Sequence, residues 1–232
     1  MEKIEFIINE FKKCNVELSE NKAQKLLKLY EFLVEYNKNV NLTAFTDFEE
    51  VVIKHFIDSV LPFTMVDINE NGSFIDVGTG AGFPSIPLMI VRPDLKGTLL
   101  EALNKRCVFL EKACELVGVK ANVVHGRAED YAKEKRECFD FATARAVAAM
   151  PVLSEYCMPY VKTGGKFIAL KSVNEDIKQS ESAIKILGGK IAEVRDYTIT
   201  NGDNRRLFVV DKISHTPTKY PRNPSMIKKK QL

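Results

Sequence analysis

Three glycines at alternate positions, Gly78, Gly80 and Gly82, follow a short apolar run, Phe74-Ile75-Asp76-Val77, and precede Phe83-Pro84. Glycine at these positions lets the backbone turn tightly and come close to a ligand. Pro84 and Pro87 fall in the first turn of the helix expected next, where backbone N–H groups lack partners anyway. The segment therefore reads as a strand-to-helix turn at the carboxyl end of a parallel sheet. Open α/β folds bind their ligands there.

The chain around the loop agrees with that reading. From Ser73 onward, short apolar runs at 74–77, 97–101, 122–125, 139–143 and 166–170 alternate with amphipathic stretches. The clearest stretch is 103–117, where Leu103, Cys107, Leu110, Cys114 and Val117 line one helical face and Gly118 can cap the end. Strands alternating with helices imply βαβ units and a doubly wound α/β sheet. Two later runs, 190–200 and 205–211, are separated by Asn201-Gly202-Asp203-Asn204, a turn that predicts an antiparallel hairpin. Ahead of the sheet, residues 3–13 and 20–37 have helical spacing, with Leu26, Leu29, Tyr30 and Leu33 on one side. Thr46 and Asp47 each precede a glutamate by three residues, a capping-box pattern. A third helix is expected over 51–60, ending at Leu61-Pro62. The division that follows is an N-terminal helical extension (1–70), a ligand-binding α/β domain (71–216) and a basic tail (217–232).

Composition narrows the class. A chain of 232 residues with 45% hydrophobic residues can bury one sizeable core, and 28% charged residues is ordinary for a soluble protein. No apolar run approaches the roughly 20 residues that span a bilayer. The first residues lack the pattern of a signal peptide. Cys14, Cys107, Cys114, Cys138 and Cys157 are odd in number and scattered, with no C-x-x-C pair. That argues against a disulfide framework or a zinc site and for a reducing cytoplasm. The formal net charge is +3, but Lys219, Arg222, Lys228, Lys229 and Lys230 crowd the tail, which holds no acid. Charge alone leaves two readings open, a polyanion partner or a disordered solubilising tail.

The ligand class follows from the acids. A dinucleotide loop needs G-x-G-x-x-G, and Phe83 stands where its third glycine should be. This disfavours a nicotinamide-dependent oxidoreductase. Glu101 closes the second strand, where a carboxylate can accept from ribose hydroxyls. Glu129, in Arg127-Ala128-Glu129 after the third strand, can accept from an adenine amine. Asp76 can help to position an amino group. Three acids around one loop would repel a pyrophosphate. They suit S-adenosylmethionine, which carries a sulfonium and an amino group.

At this point the chain resembles the bacterial 16S rRNA guanine-N7 methyltransferases, long called the glucose-inhibited division protein B family. The matching segments are Asn39-Val40-Asn41-Leu42-Thr43, Lys54-His55-Phe56-Ile57-Asp58-Ser59, Asp76 to Pro84, Gly126-Arg127-Ala128-Glu129, Ala144-Arg145-Ala146 and Leu170-Lys171. The first two are not general methyltransferase features. The resemblance implies a Rossmann-like class I fold with a mostly parallel seven-stranded sheet. It implies cofactor contacts at Gly78, Phe83, Ala128, Glu129 and Arg145, with Glu101 on the ribose. Gly80, Gly82 and Asp76 complete the expected cofactor loop. The implied substrate is a guanine of 16S rRNA near the decoding centre, in the small subunit or an assembly intermediate. Ala144 is a small departure, since many members have Ser there.

Guanine N7 has an in-plane lone pair and no proton to remove. Direct in-line displacement then needs no general base, and catalysis is positioning and electrostatics. Arg145 is the expected catalytic residue, acting on the cofactor carboxylate, guanine O6 or a phosphate. A donor on N7 itself would block attack. Arg127, Lys171, Arg206 and Arg222 are expected RNA contacts, and His55 and Asp58 are expected to shape the substrate side. Phe83, Tyr160 and Tyr220 are the candidate base-stacking rings, although packing is the plainer role for each. No metal, no membrane and no obligate dimer is expected.

Overall fold

The computed structural model describes residues 1–145 and 148–232. Ala146, the last residue of one matching segment, lies outside the described residues. Seven strands form one sheet: β1 (Ser73–Val77), β2 (Lys96–Glu101), β3 (Ala121–His125), β4 (Phe139–Arg145), β5 (Val161–Lys171), β6 (Gly189–Thr198) and β7 (Asn204–Lys212). Their order is β3-β2-β1-β4-β5-β7-β6. The first five lie parallel to one another, while β7 runs antiparallel to both β5 and β6. Strand order reverses between β1 and β4, so the glycine loop after β1 opens at the switch point. The expected fold, mostly parallel with a C-terminal hairpin, is the observed one.

Alternation along the strands sorts the core into two layers. On one face Phe74, Leu99, Phe141, Ile168, Leu207 and Val209 pack with the helices of the N-terminal extension. On the other face Ile75, Leu100, Ala142, Phe167, Phe208 and Val210 form the second cluster. The extension comprises α1 (Glu2–Lys13) and α2 (Glu20–Asn37). It is part of the first layer rather than an appendage to it, since Ile7, Phe11, Leu26 and Leu29 share that cluster. Phe32 of α2 stacks on Phe109 at 5.3 Å and 8°.

The third helix differs from expectation. It is α3 (Phe48–Val51), a π-helical segment (Val52–Ile57) and α4 (Asp58–Val60), followed by a 3₁₀ turn (Leu61–Met65). Pro62 sits in the first turn of that 3₁₀ segment, where its missing N–H costs nothing, so the chain continues past the predicted stop. Asp47, not Thr46, caps α3, accepting from Glu50 N at 3.1 Å. Asp47→Ala is expected to cost about 1 kcal/mol, read as a lowered urea midpoint with unchanged slope.

The remaining helices are α5 (Ser85–Val91), α6 (Asn104–Val117), α7 (Ala128–Glu134), α8 (Met150–Cys157), α9 (Ile177–Ile186) and α10 (Pro224–Lys229). Gly118 ends α6 in the left-handed conformation, as its position suggested. Among the described residues no helix is long and apolar enough to cross a membrane, and no group of acid, His or Cys side chains could hold a metal ion.

The tail is not a free strand. Arg136 donates to the carbonyls of Thr216 (2.8 Å), Pro217 (2.9 Å) and Tyr220 (2.8 Å). Arg222 forms a two-pronged pair with the buried carboxylate of Glu155, at 2.8 and 2.6 Å. Tyr220 and Ile227 are buried. Tyr160 is buried too, its hydroxyl donating to Ala128 O at 2.6 Å. Neither tyrosine presents a face to a base, and packing, the plainer role, is the one each takes. Lys219, Lys228, Lys229 and Lys230 remain exposed on this ordered segment.

Candidate functional site

The glycine loop is stitched to the neighbouring strand. Gly78 and Thr79 both donate to Leu100 O, at 2.9 and 3.2 Å. Gly82 has φ +84°, and a Cβ there would meet Ile86 Cδ1 at 2.5 Å. This glycine serves the close packing of loop on α5. Gly80 (φ +61°) differs, because a Cβ there would meet nothing within 4 Å. Its left-handed backbone faces open space, where a ligand can come against the main chain.

The acids surround that space. Glu101 accepts from Gly80 N at 3.0 Å and from Leu103 N at 2.9 Å, so its carboxylate is fixed beside the loop. Asp76 is fully buried; Oδ2 accepts from Ser85 Oγ at 2.6 Å, while Oδ1 has no partner. An unpaired buried acceptor is costly unless something supplies a donor. Burial pushes the Asp76 carboxyl up to about 6, against the pull of the Ser85 hydroxyl. Ala128 and Glu129 open α7, with Arg127 as its exposed N-cap. An orphaned acceptor, an open glycine face and a fixed carboxylate at the next strand end together fit a ligand that brings amino and ribose donors. S-adenosylmethionine is such a ligand.

Phe83 ends the loop, and its ring is covered. His55 stacks on it at 4.5 Å and 9°, and the Arg145 guanidinium lies 5.3 Å from its centre. The ring is thus a packing surface for protein groups, not a free platform for a base. Arg145, at the end of β4, donates to His55 Nδ1 at 3.1 Å and to Lys54 O at 3.3 Å, and faces Asp58 Oδ2 at 3.4 Å. Asp58 Oδ1 in turn accepts from the Tyr197 hydroxyl at 3.2 Å and faces Arg205 Nε at 3.4 Å. His55 Nε2 lies 2.8 Å from Thr43 Oγ1. Since Arg145 can only donate, His55 Nδ1 must accept, and Nε2 carries the proton toward Thr43. Burial, then the Arg145 charge, pull the His55 pKa down to about 3. Burial also lowers the Arg145 pKa, which Asp58 and Asp76 push back up. His55 sits within the π-helical segment, an irregularity common at functional sites.

His55, Asp58 and Arg145 line a cavity of about 390 Å³, together with Phe45, Lys54, Leu170, Lys171, Ser172, Asp203 and Arg205. A larger cavity, about 690 Å³, lies at the opposite strand ends, around Ser73, Lys96, Gly97 and Asn122. That end lacks the loop and its acids.

The structure brings Arg145, His55, Asp58, Lys171 and Phe83 into one region and leaves others apart from it. Lys171 pairs with Glu175 at 2.9 Å and donates to Ala148 O, holding a wall of the cavity. Arg206 is clamped by Asp196 at 2.6 and 2.8 Å. Arg222 is held by Glu155, away from the cavity lining. Sequence reading missed Arg205, Tyr197 and Phe45, and named Thr43 only as part of a matching segment. Arg205 was within reach of pattern alone, since neighbouring residues of a strand point to opposite faces. The pairing of Tyr197 with Asp58 had no local signal, because it joins segments 139 residues apart.

Comparison with known proteins agrees with this geometry. Residues 22–206 match the family model GidB, described as rRNA small subunit methyltransferase G. A ribosomal RNA small subunit methyltransferase G from Alkaliphilus metalliredigens is 47% identical over 221 residues, covering 93% of this chain and 92% of the relative. Its counterpart from Staphylococcus aureus is 44% identical over 234 residues, covering 99% and 98%. Among solved structures, a precorrin-6y C5,15-methyltransferase from Geobacter metallireducens superposes with a TM-score of 0.52 at 11% identity, covering 75% of this chain and 91% of that one. TrmN from Thermus thermophilus gives 0.53 at 15% identity, covering 70% and 53%. These structures share the fold; the relatives share the sequence along nearly its whole length. The chain belongs to the rRNA small subunit methyltransferase G family.

Proposed function

We propose that this protein transfers the methyl group of S-adenosylmethionine to N7 of a guanine in 16S rRNA, near the decoding centre. The cofactor supplies an electrophilic methyl on sulfonium. Gly78, Gly80 and the Asp76 and Glu101 carboxylates hold it, with Ala128 and Glu129 on its adenine side. Arg145 fixes the loop through Phe83 and His55 and supplies positive charge beside the cavity.

The observation that carries the reading is that both basic groups in contact with Arg145 are occupied. His55 uses both ring nitrogens, and Asp58 is taken by Arg145, Tyr197 and Arg205. A reaction that removed its nucleophile's proton beside Arg145 would want one of these two free. Guanine N7 has no proton to lose, so positioning alone suffices.

Arg127 and the lysines of the tail face solvent and are suited to phosphate contacts, which makes RNA binding weaken with salt. Lys171, Arg206 and Arg222 act through the structures they brace. The protein is read as a cytoplasmic monomer acting on the small subunit or its precursor.

The test is to incubate the protein with labelled S-adenosylmethionine and either small subunits or stripped 16S rRNA from a strain lacking the enzyme, then map the label. Label on one guanine N7 is expected. No transfer to guanine N7 in either substrate would overturn the proposal.

A further inference from the structure

The cavity beside Arg145 is crossed by a ladder of alternating charge. It starts at Arg145, passes to Asp58 at 3.4 Å, to Arg205 at 3.4 Å, and ends at Asp203, 3.2 Å from Arg205 Nη2. The Arg145 end touches Phe83 and the cofactor loop. The Asp203 end is the other extreme of the ladder. Both carboxylates line the cavity, but they are not equivalent. Asp58 is buried and its oxygens are taken up by Arg145, Tyr197 and Arg205. The Asp203 side chain is 43% exposed and open to a further donor.

The turn that carries Asp203 is built. Ile199 N donates to Asp203 O at 3.1 Å, and Asp203 N donates to Asn201 Oδ1 at 3.1 Å. Gly202 takes φ +91° between them. Hydrogen bonding from Asn201 and Arg205 holds the Asp203 carboxyl below the usual carboxylate range, so it is ionised at neutral pH.

The chemistry of guanine matches the polarity of this ladder. One edge of the base offers only acceptors, O6 and N7. The Watson–Crick edge of an unpaired guanine offers two donors, N1–H and the 2-amino group. With N7 turned toward the cofactor loop, that donor edge points away from it. The other charged groups of the cavity wall, Lys54, Arg145, Lys171 and Arg205, are donors.

We propose that Asp203 is the specificity-determining acceptor for the Watson–Crick edge of the target guanine. The inference rests on the guanine-N7 reading above. A carboxylate facing N1–H and the 2-amino group makes a charge-assisted, two-pronged pair. The same carboxylate rejects adenine, which also has a free N7 but presents a lone pair at N1. Arg205 then acts as the positioning residue that aims the carboxylate.

The experiment compares kcat/KM on 16S rRNA bearing guanosine or inosine at the methylated position. Inosine keeps N7, O6 and N1–H and lacks the 2-amino group. The wild-type protein is expected to prefer guanosine by about tenfold. Asp203→Ala is expected to cut the guanosine value by roughly ten- to a hundredfold and to bring the guanosine-to-inosine ratio close to one. Its affinity for S-adenosylmethionine should be unchanged, which shows that the variant is folded. A ratio that persists in Asp203→Ala overturns the inference, even if both rates fall together, since equal losses mark a merely structural role. If the wild-type protein methylates no guanine N7 at all, the parent reading fails first and takes the inference with it. The two failures are therefore distinct.

Discussion

Arg145→Ala is expected to reduce methyl transfer by at least about a hundredfold and to lower folding stability by about 3–5 kcal/mol. Arg145 touches the glycine loop, the third helix and the cavity together. Its removal takes the guanidinium from beside the Phe83 ring and frees His55 Nδ1. It also strips one partner from Asp58, a buried carboxylate that then faces Arg205 and Tyr197 alone. Breaking a buried pair on one side leaves a charge without its compensation, and that is the source of the stability loss. The loss of turnover has a separate cause, since a loop displaced by an ångström misaligns an in-line reaction. Urea unfolding and single-turnover transfer measure the two effects independently. A variant with wild-type cofactor affinity and turnover would show that Arg145 neither holds the loop nor serves the reaction.

The second large effect is a pH dependence centred on His55. Its folded-state pKa of about 3 lies below the ordinary 6.5. The unfolded chain therefore binds a proton that the folded protein refuses. The stabilisation is full above pH 6.5 and is lost as pH falls through the window down to about 3, at about 1.4 kcal/mol per unit. Asp76 acts with the opposite sign. Its folded pKa of about 6 exceeds the usual 3.8, so it costs stability as pH rises between those values. The two slopes oppose one another between pH 3.8 and 6, and the wild-type curve there is flattened.

His55→Gln isolates one of them. Its stability should decline with pH throughout the Asp76 window, while the wild-type protein's does not. The gap between the two proteins should widen by about 1.4 kcal/mol per unit from pH 4 to 6.5. The chain has three histidines, so the ring resonances can be followed directly by NMR. A His55 signal that titrates near 6.5 in the folded protein would refute the assigned environment.

Much of the architecture was legible because it is written locally. Alternating apolar runs and helical stripes record, residue by residue, which side faces a core. Asn201-Gly202 marked the hairpin and Gly118 marked a helix end, since both depend on backbone conformations that few residues favour. The third helix was read only in part. Periodicity finds an apolar face, but it does not report a π-helical turn or a proline that opens a 3₁₀ segment. The charge of the tail was also visible, whereas its fate was not. Arg136 and Glu155, which pin it, lie 84 and 67 residues away from their partners.

The glycine loop and its acids were determined by sequence alone, together with the alternation of strands and helices that builds the sheet around them. The motif works through backbone geometry, so its spacing is enough to recognise it. Which side chains meet around Arg145 was decided by the tertiary structure. Thr43, His55, Arg145, Tyr197 and Arg205 come from separate elements, and they meet only because the N-terminal extension and the hairpin pack at the same end of the sheet. Charge pairing then chose among the candidate arginines. Arg206 and Arg222 found carboxylates away from the cavity, while Arg145 and Arg205 found theirs in its wall. Whether a charged side chain is free to meet a ligand depends on which opposite charge the fold sets beside it, and no local pattern records that.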